Sequence, residues 1–251
     1  MDLAWRVSMT GLCFAILGLG GSFLAATVFP ALSLSIRDRA ERSRRVQELV
    51  HLSFRGYIRV LEALGLIELR VEGAQEIRTC RGKVIIANHP TLLDVVLLMA
   101  LNARTKCIVK GELWHNPFLK GVVQAAGYIR NDLSADELTE ACGAALAAGD
   151  NLIIFPEGTR TQPGRPLRLH RGFANIALMA RADIFVVSIS CHPITLTKGT
   201  PWWRVPARRP TIRVASAGTI AIDDFQTSVR SRDARRLADY AHARLSGFAA
   251  Y

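Results

Sequence analysis

The hydrophobic and polar positions of this chain fall into three regimes. Residues 7–36 carry no charged side chain, and the heart of that run, residues 11–30, reads GLCFAILGLGGSFLAATVFP. A helix rising 1.5 Å per residue crosses a hydrocarbon core of about 30 Å in about 20 residues, so the pattern predicts a membrane helix within an anchor covering residues 1–36. Asp2 and Arg6 precede the run, and Arg37, Arg39, Arg42, Arg44 and Arg45 follow it. The positive-inside tendency then places the following segment in the cytosol. A cleaved signal peptide calls for a shorter apolar core and a more basic start. An uncleaved anchor is the better reading, as a single span or as a hairpin bent near Pro30, since proline ends or kinks a helix. Gly18, Gly20 and Gly21 lack the preceding strand of a nucleotide loop and read as packing residues of a membrane helix.

The second regime, residues 37–65, has the three- and four-residue spacing of an amphipathic helix. Val46, Leu49, Val50, Phe54, Tyr57, Ile58, Leu61 and Leu64 form its stripe, and Arg42, Arg44, Arg45, Arg55 and Arg59 fill much of the rest. Next to a membrane anchor, such a helix is expected to rest on anionic headgroups. From residue 66 to 251, short β-branched runs alternate with helical stretches. That is the signature of one α/β domain, a mixed central sheet flanked by helices. Strands are predicted at 66–71, 83–87, 106–110, 152–155, 184–190 and 211–215, and helices at 92–101, 117–126, 135–147, 173–181 and 227–245.

Composition narrows the class. Of 251 residues half are hydrophobic, which excludes a disordered chain, and 32 Lys+Arg against 21 Asp+Glu give a net charge of +11. The excess of cations asks for an anionic partner, either phospholipid headgroups, a phosphorylated substrate or nucleic acid. Absence of any nucleic-acid motif, beside a membrane anchor, favours lipid over nucleic acid. The five cysteines, Cys13, Cys80, Cys107, Cys142 and Cys191, are scattered, with no C-x-x-C. A disulfide framework or zinc ribbon is not expected.

Chemistry concentrates at two strand ends. The run KVIIA stops at Asn88-His89-Pro90-Thr91-Leu92-Leu93-Asp94, a turn into a helix. Asp94 in the first helical turn can reach the His89 imidazole, fix its tautomer and leave the other ring nitrogen free to accept a proton. A turn-bracing histidine with a helix-capping aspartate would look the same. No G-x-S-x-G elbow or metal-binding spacing is present, and Cys191 and His192, adjacent in one strand, point to opposite faces. A base here would act on a substrate hydroxyl directly. The run NLIIF ends in Phe155-Pro156-Glu157-Gly158-Thr159-Arg160. Glycine there allows close backbone approach, and Arg160, followed by Arg165, Arg168 and Arg171, offers donors to phosphate oxygens.

These two blocks, in this order and separation, resemble those of the glycerolipid acyltransferases of the lysophosphatidate acyltransferase (PlsC-like) family, N-H-x-x-x-x-D and F-P-E-G-T-R. Lys110-Gly111-Glu112-Leu113 and Arg171-Gly172 are similar to two further family elements. The resemblance runs from about Lys83 to Pro193. It implies a membrane-associated N-terminus before an α/β domain. It also implies transfer of a fatty acyl chain from acyl-CoA or acyl carrier protein, as co-substrate, to the hydroxyl of a lysophospholipid, with no cofactor or metal. By position, His89 would be the general base and Asp94 its partner. Gly158, Thr159 and Arg160, helped by Arg130 and the basic element at Arg171, would hold the acceptor phosphate, and Glu157 would support the loop. Two blocks depart from the family pattern. Gly127-Tyr128-Ile129-Arg130 is shorter between glycine and arginine, and Val187-Ser188-Ile189-Ser190 replaces Val-Pro before a small apolar residue. Both bear on the acceptor, which leaves room for a different lipid acceptor. A non-enzymatic lipid-binding module and a thioesterase are the competing readings.

Overall fold

The computed structural model describes residues 2–115, 120–162, 164–227 and 229–249. The chain opens with helix α1 (Leu3–Phe23), a π-helical turn (Leu24–Val28) and α2 (Phe29–Ser35), together one apolar helical run from Leu3 to Ser35. At 33 residues it is about 50 Å long and apolar enough to cross a membrane. The helical run continues past Pro30. The wider π turn just before it accommodates a ring that would otherwise clash with the carbonyl one turn back, and the reversal comes at residues 36–38. There Asp38 caps the next helix, accepting from Ala40 N at 2.9 Å.

That helix, α3 (Arg39–Ala63), buries Val46, Val50, Tyr57, Ile58 and Leu61. Their stripe faces the domain and joins its core, chiefly against the helix that follows the His89 turn. The expectation that the stripe meets the membrane is therefore corrected. Periodicity shows that a face must be covered, and here protein covers it, while Arg44, Arg45, Arg55 and Arg59 stay exposed. Residues 37–65 pack as part of the fold.

The domain continues with β1 (Glu68–Glu72), α4 (Ala74–Thr79), β2 (Val84–Ala87), α5 (Asp94–Leu101), β3 (Thr105–Val109), α6 (Lys120–Ala125) and β4 (Ile129–Arg130). It closes with α7 (Ala135–Ala147), β5 (Asn151–Ile154), α8 (Gly172–Ala180), β6 (Ile184–His192), β7 (Thr211–Ile220) and α9 (Arg230–Ala249). The first three positions of the helix expected over 117–126 lie outside the described residues, as does position 228 in the helix expected over 227–245. The sheet is mixed, in the order β1-β7-β6-β2-β5-β3-β4. Strands β6, β2, β5, β3 and β4 run parallel, and β7 lies antiparallel to β6 with β1 alongside it.

Strand β2 is buried at every position, as a parallel strand covered on both faces should be. Alternation sends Ile85 and Ala87 to the core beneath α3, α5 and the N-terminal helix, and Val84 and Ile86 to the core beneath α7, α8 and α9. The long N-terminal helix docks by one stripe, where Cys13 and Phe29 are buried. Its opposite face leaves Trp5, Leu12, Ile16, Leu19 and Phe23 exposed. Because β2 and β5 are parallel neighbours, with Ile86 opposite Ile154, both conserve direction and release their following loops at the same edge of the sheet. That single fact brings two distant sequence blocks together.

Candidate active site

The β2–α5 turn is built from its own short side chains. Leu93 N donates to Thr91 Oγ1 at 3.1 Å, while Thr91 N and Oγ1 donate to Asp94 at 2.8 and 2.6 Å. This fixes the Asp94 carboxylate in the first turn of α5, with its side chain fully buried. His89 Nδ1 lies 2.7 Å from the same oxygen that takes the Thr91 amide. A carboxylate acceptor there assigns the proton to Nδ1 and leaves Nε2 as the free acceptor. The imidazole keeps 17% of its surface exposed, enough for a substrate hydroxyl to reach it.

The second block braces the first. His89 N donates to Glu157 Oε1 at 3.0 Å and to Thr161 Oγ1 at 3.1 Å. Thr161 Oγ1 in turn donates to Glu157 at 2.6 Å, and Thr161 N donates to His89 O at 2.7 Å. The Phe155 ring stacks on the imidazole, with centroids 4.1 Å apart and planes 23° from parallel. Asn88 holds the turn from the other side. Its amide donates to Ile189 O and accepts from Ile189 N, both at 2.7 Å, extending the β2–β6 ladder by one side chain after the backbone has turned away. Asn88 and Phe155 stood in the two motif blocks without an assigned task, and Thr161 stood just past the second. Their signal was membership of the motifs or adjacency to them, and their contacts were invisible because they join segments distant in sequence.

Gly158 sits in the left-handed region at φ +66°, and a Cβ there would come within 3.2 Å of the His170 ring. Glycine is therefore required twice over. Thr159 is half-buried beside it. Arg160 points away from open solvent: its Nη1 donates to the carbonyls of Leu196 and Thr197, both at 3.0 Å, and so clamps the β6–β7 connection to the site. Arg171 is exposed at the start of α8. Arg130 leaves the same sheet edge from β4, three strands from β2, or about 14 Å at the usual strand spacing. It forms a fork on Asp132 at 2.6 and 2.8 Å and lies over the Trp114 ring. The structure thus gathers His89, Asp94, Glu157, Gly158 and Thr159, with Arg160 behind them, while Arg130 is engaged with Asp132 and Trp114 and Arg171 lies exposed at the start of α8. Cys191 is half-buried near Asp94, and burial pushes its thiol up to about 11. Protonated at neutral pH, it is a poor nucleophile.

A family model described as Acyltransferase matches residues 68–192, which contain His89, Asp94, Glu157, Gly158, Thr159 and Arg160. The chain belongs to the acyltransferase family. Among relatives of this acyltransferase domain, the 1-acyl-sn-glycerol-3-phosphate acyltransferase of Cocos nucifera is 31% identical over 167 residues, covering 63% of this chain and 51% of that protein. The Homo sapiens 1-acyl-sn-glycerol-3-phosphate acyltransferase alpha is 27% identical over 180 residues, 68% of this chain and 59% of that one. The chain spans about half the length of the curated relatives it matches first. The crystal structure of the 1-acyl-sn-glycerophosphate acyltransferase PlsC from Thermotoga maritima superposes with a TM-score of 0.74 over 100% of both chains at 19% identity, a likeness of fold.

Proposed function

We propose that this acyltransferase domain transfers a fatty acyl chain from an acyl thioester, on CoA or acyl carrier protein, to the hydroxyl of lysophosphatidate or a related lysophospholipid. The observation that carries this reading is the buried Asp94 holding His89 Nδ1 at 2.7 Å, with the imidazole open at Nε2. In the scheme, Nε2 takes the acceptor hydroxyl proton as its oxygen attacks the thioester carbonyl. A C–O bond forms, the C–S bond breaks, and the proton leaves with the thiol. No covalent acyl-enzyme is needed, consistent with a Cys191 thiol that stays protonated. The Gly158 backbone and the Thr159 hydroxyl support a phosphate-bearing acceptor beside the imidazole. Arg160 holds that loop against residues 196–197.

The exposed apolar face of the N-terminal helix meets membrane phospholipid, and the arginines after it keep the catalytic domain on the cytoplasmic face. The experiment incubates the chain in vesicles with acyl-CoA and lysophosphatidate and follows thiol release together with the diacyl product. Thiol release that rises with added lysolipid supports transfer. Thiol release indifferent to lysolipid points instead to hydrolysis.

A further inference from the structure

Arg6 is the one charged side chain between Asp2 and Arg37, and only 4% of it is exposed. A long cation at the edge of an apolar helix ordinarily extends its head to water; this one turns inward, and among the described residues its buried Nε has no hydrogen-bond partner. The charge that bears on it is another cation, Arg209, whose own Nε is spent on Ile67 O at 2.6 Å. The guanidinium lines a cavity of about 30 Å³ between α1, α3 and the β6–β7 connection, walled among others by Thr10, Cys13, Tyr57, Leu93 and Thr195. Among the described residues no carboxylate lines it. An interior guanidinium nitrogen with no partner is a costly feature for a fold to keep. Here the polar groups on the walls are a guanidinium, hydroxyls and a thiol, and nothing negative.

We infer that this cavity is a binding site for a single small oxyanion of the phosphate class, held by the Arg6 guanidinium and the hydroxyls of Thr10, Tyr57 and Thr195. Room for about two waters suits one anionic group and excludes a whole headgroup, so the occupant enters by its phosphate alone. Two sources carry that chemistry, the phosphate of an anionic phospholipid lying along the N-terminal helix, or free phosphate. The cavity shares Leu93 with the His89 turn and Leu196 with the Arg160 clamp, so its occupancy is read from melting and not from turnover.

The test compares melting of the full chain in zwitterionic micelles with that of Arg6→Met, which fills similar volume without charge. In the absence of anion Arg6→Met melts higher, because an unpaired buried charge is gone. Inorganic phosphate, added at constant ionic strength, stabilises the wild type through this site and closes or reverses the gap. The relative shift is roughly 5 °C at about a hundredfold excess over Kd. Phosphate bound elsewhere raises both chains and leaves the gap fixed. A second arm dopes the micelles with phosphatidylglycerol: a gap closing only there assigns the lipid headgroup, and one closing only with phosphate assigns the free anion. Tyr57→Phe keeps the ring, removes one hydroxyl and weakens the affinity roughly three- to tenfold, which trims the shift by about a quarter to a half at the same phosphate concentration. It serves alone should Arg6→Met fail to fold. A gap that neither anion alters, or a Tyr57→Phe response equal to the wild type where Arg6→Met cannot be measured, overturns the site.

Discussion

The His89 turn and the Arg130 strand leave the same edge of one sheet, and each carries a charged or titratable group that its sequence marks for function, yet they are held by different means. Around the His89 turn, partners come from α5, the loop after β5, and β6, as much as 101 residues apart in sequence for Asn88 and Ile189, and Asp94 is fully buried. Around Arg130 the partner is Asp132, two residues on and about half exposed. The first arrangement is over-determined and fixes an imidazole in one orientation. The second is a local pair in high dielectric, free to exchange its partner for a ligand. Pre-organised groups are what proton transfer needs, and exchangeable arginines are what a phosphate-bearing substrate surface needs.

Four substitutions sharpen or break this contrast. His89→Ala should lower kcat by roughly 10²–10⁴-fold, the usual contribution of a positioned base, with the melting temperature little changed. Steady-state thiol release measures it, and normal turnover would remove His89 from the mechanism. Asp94→Asn should follow, with kcat down roughly 10²–10³-fold. It also loses about 1–3 kcal/mol of stability, because buried donors on Thr91 and His89 lose their acceptor; urea titration reads the second effect. Glu157→Gln keeps the volume and weakens the acceptor for His89 N and Thr161. Activity should fall about tenfold and stability by about 1 kcal/mol, and an unaffected kcat would show that bracing the backbone of His89 is dispensable. Cys191→Ala should leave kcat within about twofold, since a thiol at about 11 takes no part at neutral pH.

The smallest effect belongs to the other region. Hydrogen bonds from Arg130 hold the Asp132 carboxyl below the usual carboxylate range. A depressed carboxylate stabilises the fold above its unfolded value, near pH 4, and loses that contribution as pH falls through its folded value. Arg130→Ala should therefore melt within about 2 °C of the wild type at neutral pH, and the small gap should vanish under acid and shrink in high salt. A large, salt-independent gap would place Arg130 in the structural core of the fold.

How much of this was readable beforehand depends on distance along the chain. The strand expected over 83–87 forms as Val84–Ala87, and the helix over 135–147 forms with those bounds. Its start is fixed by the Ser134–Glu137 capping box, a purely local device. Helix α4 was missed because six polar-rich residues after Gly73 show no apolar period. Strand β7 runs on to Ile220 through small residues and Gly218 that read as a turn. Both motif blocks were legible, and so was the His89–Asp94 pairing, because both partners lie on one turn. Glu157 beneath His89 N was not, for that contact exists only because β2 and β5 are neighbours. Nor was the direction of Arg160, which follows the β6–β7 connection and its residues 196–197. The cover on the α3 stripe was equally hidden, since amphipathicity fixes the existence of a buried face and leaves its partner open.

In the proposed reaction His89 activates the acceptor hydroxyl directly, with no acyl-enzyme between the donor and the lipid. Rapid mixing of the chain with acyl-CoA alone, quenched on the millisecond scale, tests it most directly. Direct transfer gives no stoichiometric burst of thiol and no acylated protein until lysolipid is added. A burst of one thiol per chain, with the acyl group covalently on the protein, would contradict it.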